Sequence, residues 1–123
     1  MRRKRRRLAN PNRGSMVRLK VDADQTPEEG RIVVEGDLDR AAVPELDQAV
    51  TTMYAKRRNV VLDMRRVSFI DAGGVRYLFQ ASEALRAGGH RLRVLIANPN
   101  IERLFGLVDP AGELDVRFAP SAP

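Results

Sequence analysis

The chain has 123 residues, 43% of them hydrophobic, which suits one domain around a single core. It contains no cysteine, so disulfides and thiolate metal sites are excluded, and no run of about 18 apolar residues that would cross a membrane. The formal charge of +6 is placed very unevenly.

Residues 1–15, MRRKRRRLANPNRGS, hold seven basic residues (Arg2, Arg3, Lys4, Arg5, Arg6, Arg7 and Arg13) and no acidic one. From residue 16 onward, 15 basic residues face 16 acidic ones, so the remainder carries −1. With one leucine to bury, this segment is predicted to be a disordered arm without stable contacts. No apolar stretch follows it, so it does not read as a secretory signal. Arg2–Arg7 suit contact with a polyanion or a membrane surface through counterion release. The alternatives are a solvated tail, or a true start at Met16, where the first strand opens.

Val17, Leu19 and Val21 occupy alternate positions, as a half-buried strand requires. A turn over ADQTPEEG leads to RIVVEG, and the two strands are predicted to pair as a hairpin. The period then changes. Val43, Leu46, Val50, Met53 and Tyr54 share one helical face, with Pro44 in the first turn. NVVLDM reads as a central strand covered on both faces.

A second helix is marked by Val75, Leu78, Phe79, Ser82 and Leu85 and closed by Gly88-Gly89. Leu92, Val94 and Ile96 mark another strand. NPNIERLFG is a short helix with Asn98 as its cap and Gly106 as its stop. Leu114, Val116 and Phe118 make a last strand, followed by a flexible tail at 119–123. The expected strands lie near 17–21, 31–35, 60–63, 92–96 and 114–118, and the helices near 42–56, 73–87 and 99–105. The order β-β-α-β-α-β-α-β implies an α/β domain with a mostly parallel sheet and an N-terminal antiparallel hairpin.

Enzyme chemistry finds little support. The single histidine, His90, opens a strand, and nothing places it beside Ser68 or Ser82 for a catalytic triad. One histidine without cysteine disfavours zinc, and no phosphate-binding glycine motif occurs. Asp63 ends a strand, where phosphate-receiver domains hold their acceptor, but the first strand offers no acidic pair and no lysine follows Lys56. No cofactor, metal or small-molecule substrate is expected.

The stretch VSFIDAGGVRYLF, residues 67–79, carries a different signal: strand, aspartate, small-residue turn, helix. Together with VEGDLDRAAVPEL and NPNIERLFGLVD, it makes residues 16–118 resemble the STAS domain, best known from bacterial anti-sigma factor antagonists. The resemblance implies a cytoplasmic bacterial docking module that binds a kinase-type anti-sigma factor and so regulates sigma-dependent transcription. A second class resembling it is the STAS subunit of another bacterial assembly, such as a phospholipid-transport ABC complex. An Arg-rich arm suits that class, while the length and the VEGDLD segment suit the first.

Antagonists of this kind usually read Asp-Ser-Ser-Gly at the turn, and their partner phosphorylates the second serine. Here the positions are Asp71, Ala72, Gly73 and Gly74, so a glycine replaces the acceptor and no phosphoacceptor remains. Ser68 lies in the preceding strand and is expected to pack or hydrogen-bond there. The resemblance places the partner contact on Asp37, Asp39, Asp71, Ala72, Gly73, Gly74 and Arg76. Plainer roles stand beside it: Asp71 and Asp39 as helix caps, Asp37 as a solvated charge. The glycine pair serves either close backbone approach or unusual φ. Arg76 opposes the helix dipole in the first turn, which points to an external contact.

Overall fold

A computed structural model describes the backbone of residues 5–8 and all of residues 17–120. Six strands and three helices follow one another as β1 (Arg5–Leu8), β2 (Arg18–Asp22), β3 (Glu29–Leu38), α1 (Val43–Ala55), β4 (Asn59–Ile70), α2 (Ala72–Ala87), β5 (Leu92–Ile96), α3 (Pro99–Val108) and β6 (Asp115–Phe118). The strands lie in one sheet in the order in which they occur in the chain. β1, β2 and β3 pair antiparallel, and β3 to β6 pair parallel, so the predicted hairpin and parallel body are both present.

The alternation read from the sequence places one register row, Val21, Ile32, Leu62, Val94 and Val116, across the sheet toward the core. All three helices bury their apolar residues in that same core: Leu46, Val50 and Met53 from α1, Val75, Leu78 and Leu85 from α2, Ile101 and Phe105 from α3. Full burial of each such side chain stabilises by roughly 1.5–3 kcal/mol. The α2 stripe is rotated from the predicted one. Tyr77 and Ala81 are buried and Phe79 and Ser82 only half so. The reason is α1: the Tyr77 hydroxyl donates to Asp47 Oδ1 at 3.0 Å, drawing that flank inward. Tyr54, predicted on the α1 stripe, is instead 44% exposed.

Three expectations are corrected. The arm is not wholly without contacts: Arg5–Leu8 forms β1, with Arg5 opposite Asp22 and Leu8 opposite Leu19. Without β1, β2 would be an edge with unpaired N–H and C=O groups, and backbone pairing satisfies them whatever the side-chain pattern. Arg2, Arg3, Lys4 and Arg13 lie outside the described residues, as do the tail residues 121–123. Second, α3 runs through Gly106 to Val108. Pro110, and not the glycine, stops it, because the residue before a proline disfavours helical geometry. Third, β3 and β4 are each longer than predicted and stay paired as far as Leu38 and Ile70, across irregularities at Val33/Glu35 and Gly36/Asp37. Gly36, at φ 99, permits the second irregularity.

The sheet's other face carries charged side chains over Val33, Val61 and Leu95. Asp63 lies there, 6% exposed, and accepts from Arg31 Nη2 and Arg65 Nη2, both at 2.7 Å. The strand is thus buried on both faces at Asp63, as its unbroken apolar pattern suggested. Burial alone would raise the Asp63 carboxyl, but the hydrogen bonds from Arg65 and Arg31 outweigh it and hold it at about 2. A group whose folded pKa is depressed stabilises above its unfolded value and loses that contribution as pH falls through the folded one. Acid denaturation should therefore show a loss of about 1–2 kcal/mol between pH 4 and 2 that Asp63→Asn abolishes, measured by urea titration at each pH.

Candidate functional site

The candidate site lies at the carboxyl end of β3 and β4. Because the register runs Asp37 opposite Phe69 and Leu38 opposite Ile70, the loop after β3 and the turn after β4 leave the sheet side by side. The Asp71 N–H donates to the Leu38 carbonyl at 3.3 Å and closes the ladder.

Asp71 then works in two directions. Its Oδ1 accepts from the Gly74 N–H at 2.8 Å, capping α2, and its Oδ2 accepts from the Arg40 N–H at 3.2 Å. The second bond was not foreseen. One carboxylate holds the start of α2 and the start of the 3-10 turn Arg40–Ala42 that leads into α1. Asp39 caps that turn, accepting from the Ala42 N–H at 3.0 Å. The capping roles weighed for both aspartates are therefore present.

The two glycines differ. Neither has positive φ, so unusual backbone geometry is not their purpose. Gly74 is buried, and a Cβ there would overlap the Leu38 carbonyl oxygen and stand 2.9 Å from Ile70 Cγ1, so close approach explains it. Gly73 is half-buried. A Cβ there would stand 3.1 Å from Arg40 Cβ and 3.3 Å from Asp71 Oδ1, a fit that needs Arg40 to move by a few tenths of an ångström. Ala72 and Arg76 are exposed, and Asp37 is half-buried.

Two residues were missed. Arg40 is exposed and packs its stem against Gly73. Phe69 is 52% exposed and takes no part in the core. A signal existed for each: Arg40 directly follows the aspartate pair, and Phe69 is an aromatic inside the run that leads to Asp71. Among the described residues, the side chains of Asp37, Arg40 and Arg76 have no ion-pair partner. The presented surface therefore combines one aromatic, a small-residue turn, two free cations and one free carboxylate.

Other candidates fall away from this place. Ser68 is exposed in β4 and makes no side-chain hydrogen bond among the described residues, contrary to expectation; it borders an open groove with Arg65, Arg66 and Asn98. His90 lies in the loop before β5, at the amino end of the parallel strands, with its N–H on the Leu85 carbonyl at 2.8 Å. Asp63 is occupied by its two arginines. Among the described residues, no three His, Asp or Glu side chains converge as a metal would need.

Fold and turn together define a small α/β domain that presents a capped helix N-terminus beside an exposed aromatic. The chain belongs to the STAS domain family: the family model described as "Mlab, STAS domain" matches residues 21–115. Among solved structures, an anti-sigma factor antagonist from Mycobacterium paratuberculosis is similar with a TM-score of 0.72 at 22% identity, covering 89% of this chain and 90% of that one. The antagonist SpoIIAA in its unphosphorylated form gives 0.64 at 21%, covering 82% and 88%. The Bacillus cell fate determinant SpoIIAA in its phosphorylated form gives 0.62 at 21%, covering 80% and 89%. No curated protein matches the chain at a significant level. At these identities the structural likeness establishes a shared fold.

Asp71→Ala should remove both anchors and lower stability by about 1–2 kcal/mol. Gly74→Ala should cost about 1–3 kcal/mol through overpacking, despite alanine's better helix propensity. Denaturant unfolding of the two variants measures both, and a neutral Gly74→Ala would contradict the close approach.

Proposed function

We propose that this STAS domain is a docking module that binds a kinase-type anti-sigma factor in the bacterial cytoplasm and so regulates sigma-dependent transcription without a phosphorylation gate. The observation that carries this reading is Gly73. It occupies the presented helix N-terminus, firmly held by Asp71, yet has no hydroxyl to receive a phosphate. A phosphate there would bring nearly two negative charges into the surface. Its absence leaves docking constitutive, subject only to partner concentration.

The contact surface comprises Asp37, Ala72, Gly73 and Arg76, with Arg40 and Phe69 added. Asp39, Asp71 and Gly74 act from beneath, by shaping it. Phe69 is suited to be the buried anchor of such an interface, since exposed aromatics ringed by polar groups dominate binding energies. The same glycine favours a second reading, a STAS subunit of another assembly such as a phospholipid-transport ABC complex. A turn that cannot be phosphorylated suits a permanent subunit. None of the described helices is long and apolar enough to cross a membrane.

The test uses the anti-sigma kinases of the source organism, purified singly. With ATP, the wild-type chain should gain no phosphate at residues 71–74, and Gly73→Ser should gain one once Arg40 gives way. Gly73→Asp should weaken docking by about 1–3 kcal/mol in titration calorimetry, because its charge is desolvated without a partner. Phe69→Ala should weaken it by at least about 1 kcal/mol while leaving the melting temperature unchanged. Full affinity of a folded Gly73→Asp for a kinase that binds the wild type would place docking elsewhere.

A further inference from the structure

The register of β1 decides what the arginines of the arm can do. β1 pairs with β2 so that Arg6 stands opposite Val21 and Arg7 opposite Lys20. Along β2, Arg18 and Lys20 are exposed and, among the described residues, have no ion-pair partner. The one acidic residue of β2, Asp22, is 7% exposed and stands opposite Arg5 at the end of the strand pair. Four basic residues, Arg5, Arg7, Arg18 and Lys20, thus occupy the register rows of one face on two adjacent strands about 5 Å apart and about 15 Å long, while Arg6 falls in the row of the buried Val21.

Beyond β2 the basic excess ends. On β4 and neighbouring β3, Asp63 engages Arg31 and Arg65, and Glu35 engages Arg66; on β5 and β6, Asp115 engages Arg93 and Arg117. From residue 16 onward the chain is net −1, and that sum already includes Arg18 and Lys20. The cationic charge is therefore a stripe on one sheet edge and not a property of the whole surface.

We infer that the β1–β2 edge is a sequence-independent binding site for the phosphodiester backbone of duplex nucleic acid. A narrow line of charge matches a linear polyanion, and guanidinium groups are the side chains best shaped for phosphate. A bilayer is the less suitable partner. Stable attachment to it takes an apolar or lipid anchor besides the charge. The large apolar residues exposed among the described ones, Tyr54, Phe69, Leu107, Val108 and Phe118, all belong to other elements. For the same reason this edge offers no aromatic platform on which single-stranded bases could stack.

The site is independent of the docking surface on α2, so the experiment uses the full chain alone. Fluorescence anisotropy with a short mixed-sequence DNA duplex, repeated across salt concentrations, should give a log-affinity against log-salt slope at least as steep as about −3.6 for four contacts. Arg18→Ala combined with Lys20→Ala should reduce the slope's magnitude by about 1.8, because two contacts are lost from the folded edge. An unchanged slope in that folded double variant would mean the arm acts as a free tail, which overturns the inference. So would failure of the wild type to bind the duplex, or stronger binding to phosphatidylglycerol vesicles at equal anionic charge. Circular dichroism confirms the fold of the double variant.

Discussion

One carboxylate ties together the loops at the carboxyl end of β3 and β4. Asp71 accepts from the Gly74 N–H and the Arg40 N–H at once, while its own N–H closes the β3–β4 ladder on Leu38. Two chain segments 31 residues apart are held to a common geometry by a side chain of minimal length. A glutamate would reach further and fix less, and an asparagine would offer only one acceptor oxygen in place of two. Gly74 completes the arrangement by letting the first turn of α2 lie against the Leu38 carbonyl. The exposed surface of Phe69, Ala72, Gly73 and Arg76 is thus the upper layer of a clamp whose lower layer is backbone.

This clamp explains what was legible in the sequence and what was not. The strands and helices of the core showed themselves because alternate and three-to-four spacing is imposed directly by burial, as at Ile32, Leu62 and Val94. The caps were legible for the same local reason: Asp71 and Asp39 precede the groups they bind by three residues. The bond from Asp71 to Arg40 was not, since nothing in a linear pattern reveals which loop will lie beside which. The length of β4 was underread because Arg65, Arg66 and Ser68 interrupt the apolar run, while the ladder to β3 holds by backbone bonds that ignore side chains. β1 was missed on the same ground. Its composition argues for disorder, and only the unsatisfied edge of β2 argues for a strand.

The position of Arg40 adds a point about Gly73. The space beside Gly73 is where a side chain would have to go. Here the Arg40 stem closes part of it, 3.1 Å from where a Cβ would sit. The loop preceding α1 and the turn preceding α2 are packed as though glycine were the intended residue. A serine placed at residue 73 displaces a neighbour.

The strand order has a kinetic consequence. Every strand pairs with the one before it in the chain, from β1 to β6, and no later strand is inserted between earlier ones. Each pairing closes a loop no longer than one helix and its connections, so the entropy of closure is met in small steps. A sheet so wired can be laid down in the order of synthesis, each new strand finding its place on an edge already formed. Until β4 emerges, the β2–β3 hairpin has no parallel partner, and the Arg40 loop has no Asp71 to hold it. The end held by Asp71 can therefore be completed only after the middle of the chain has left the ribosome, whereas the Arg-bearing edge can be assembled from its first 38 residues.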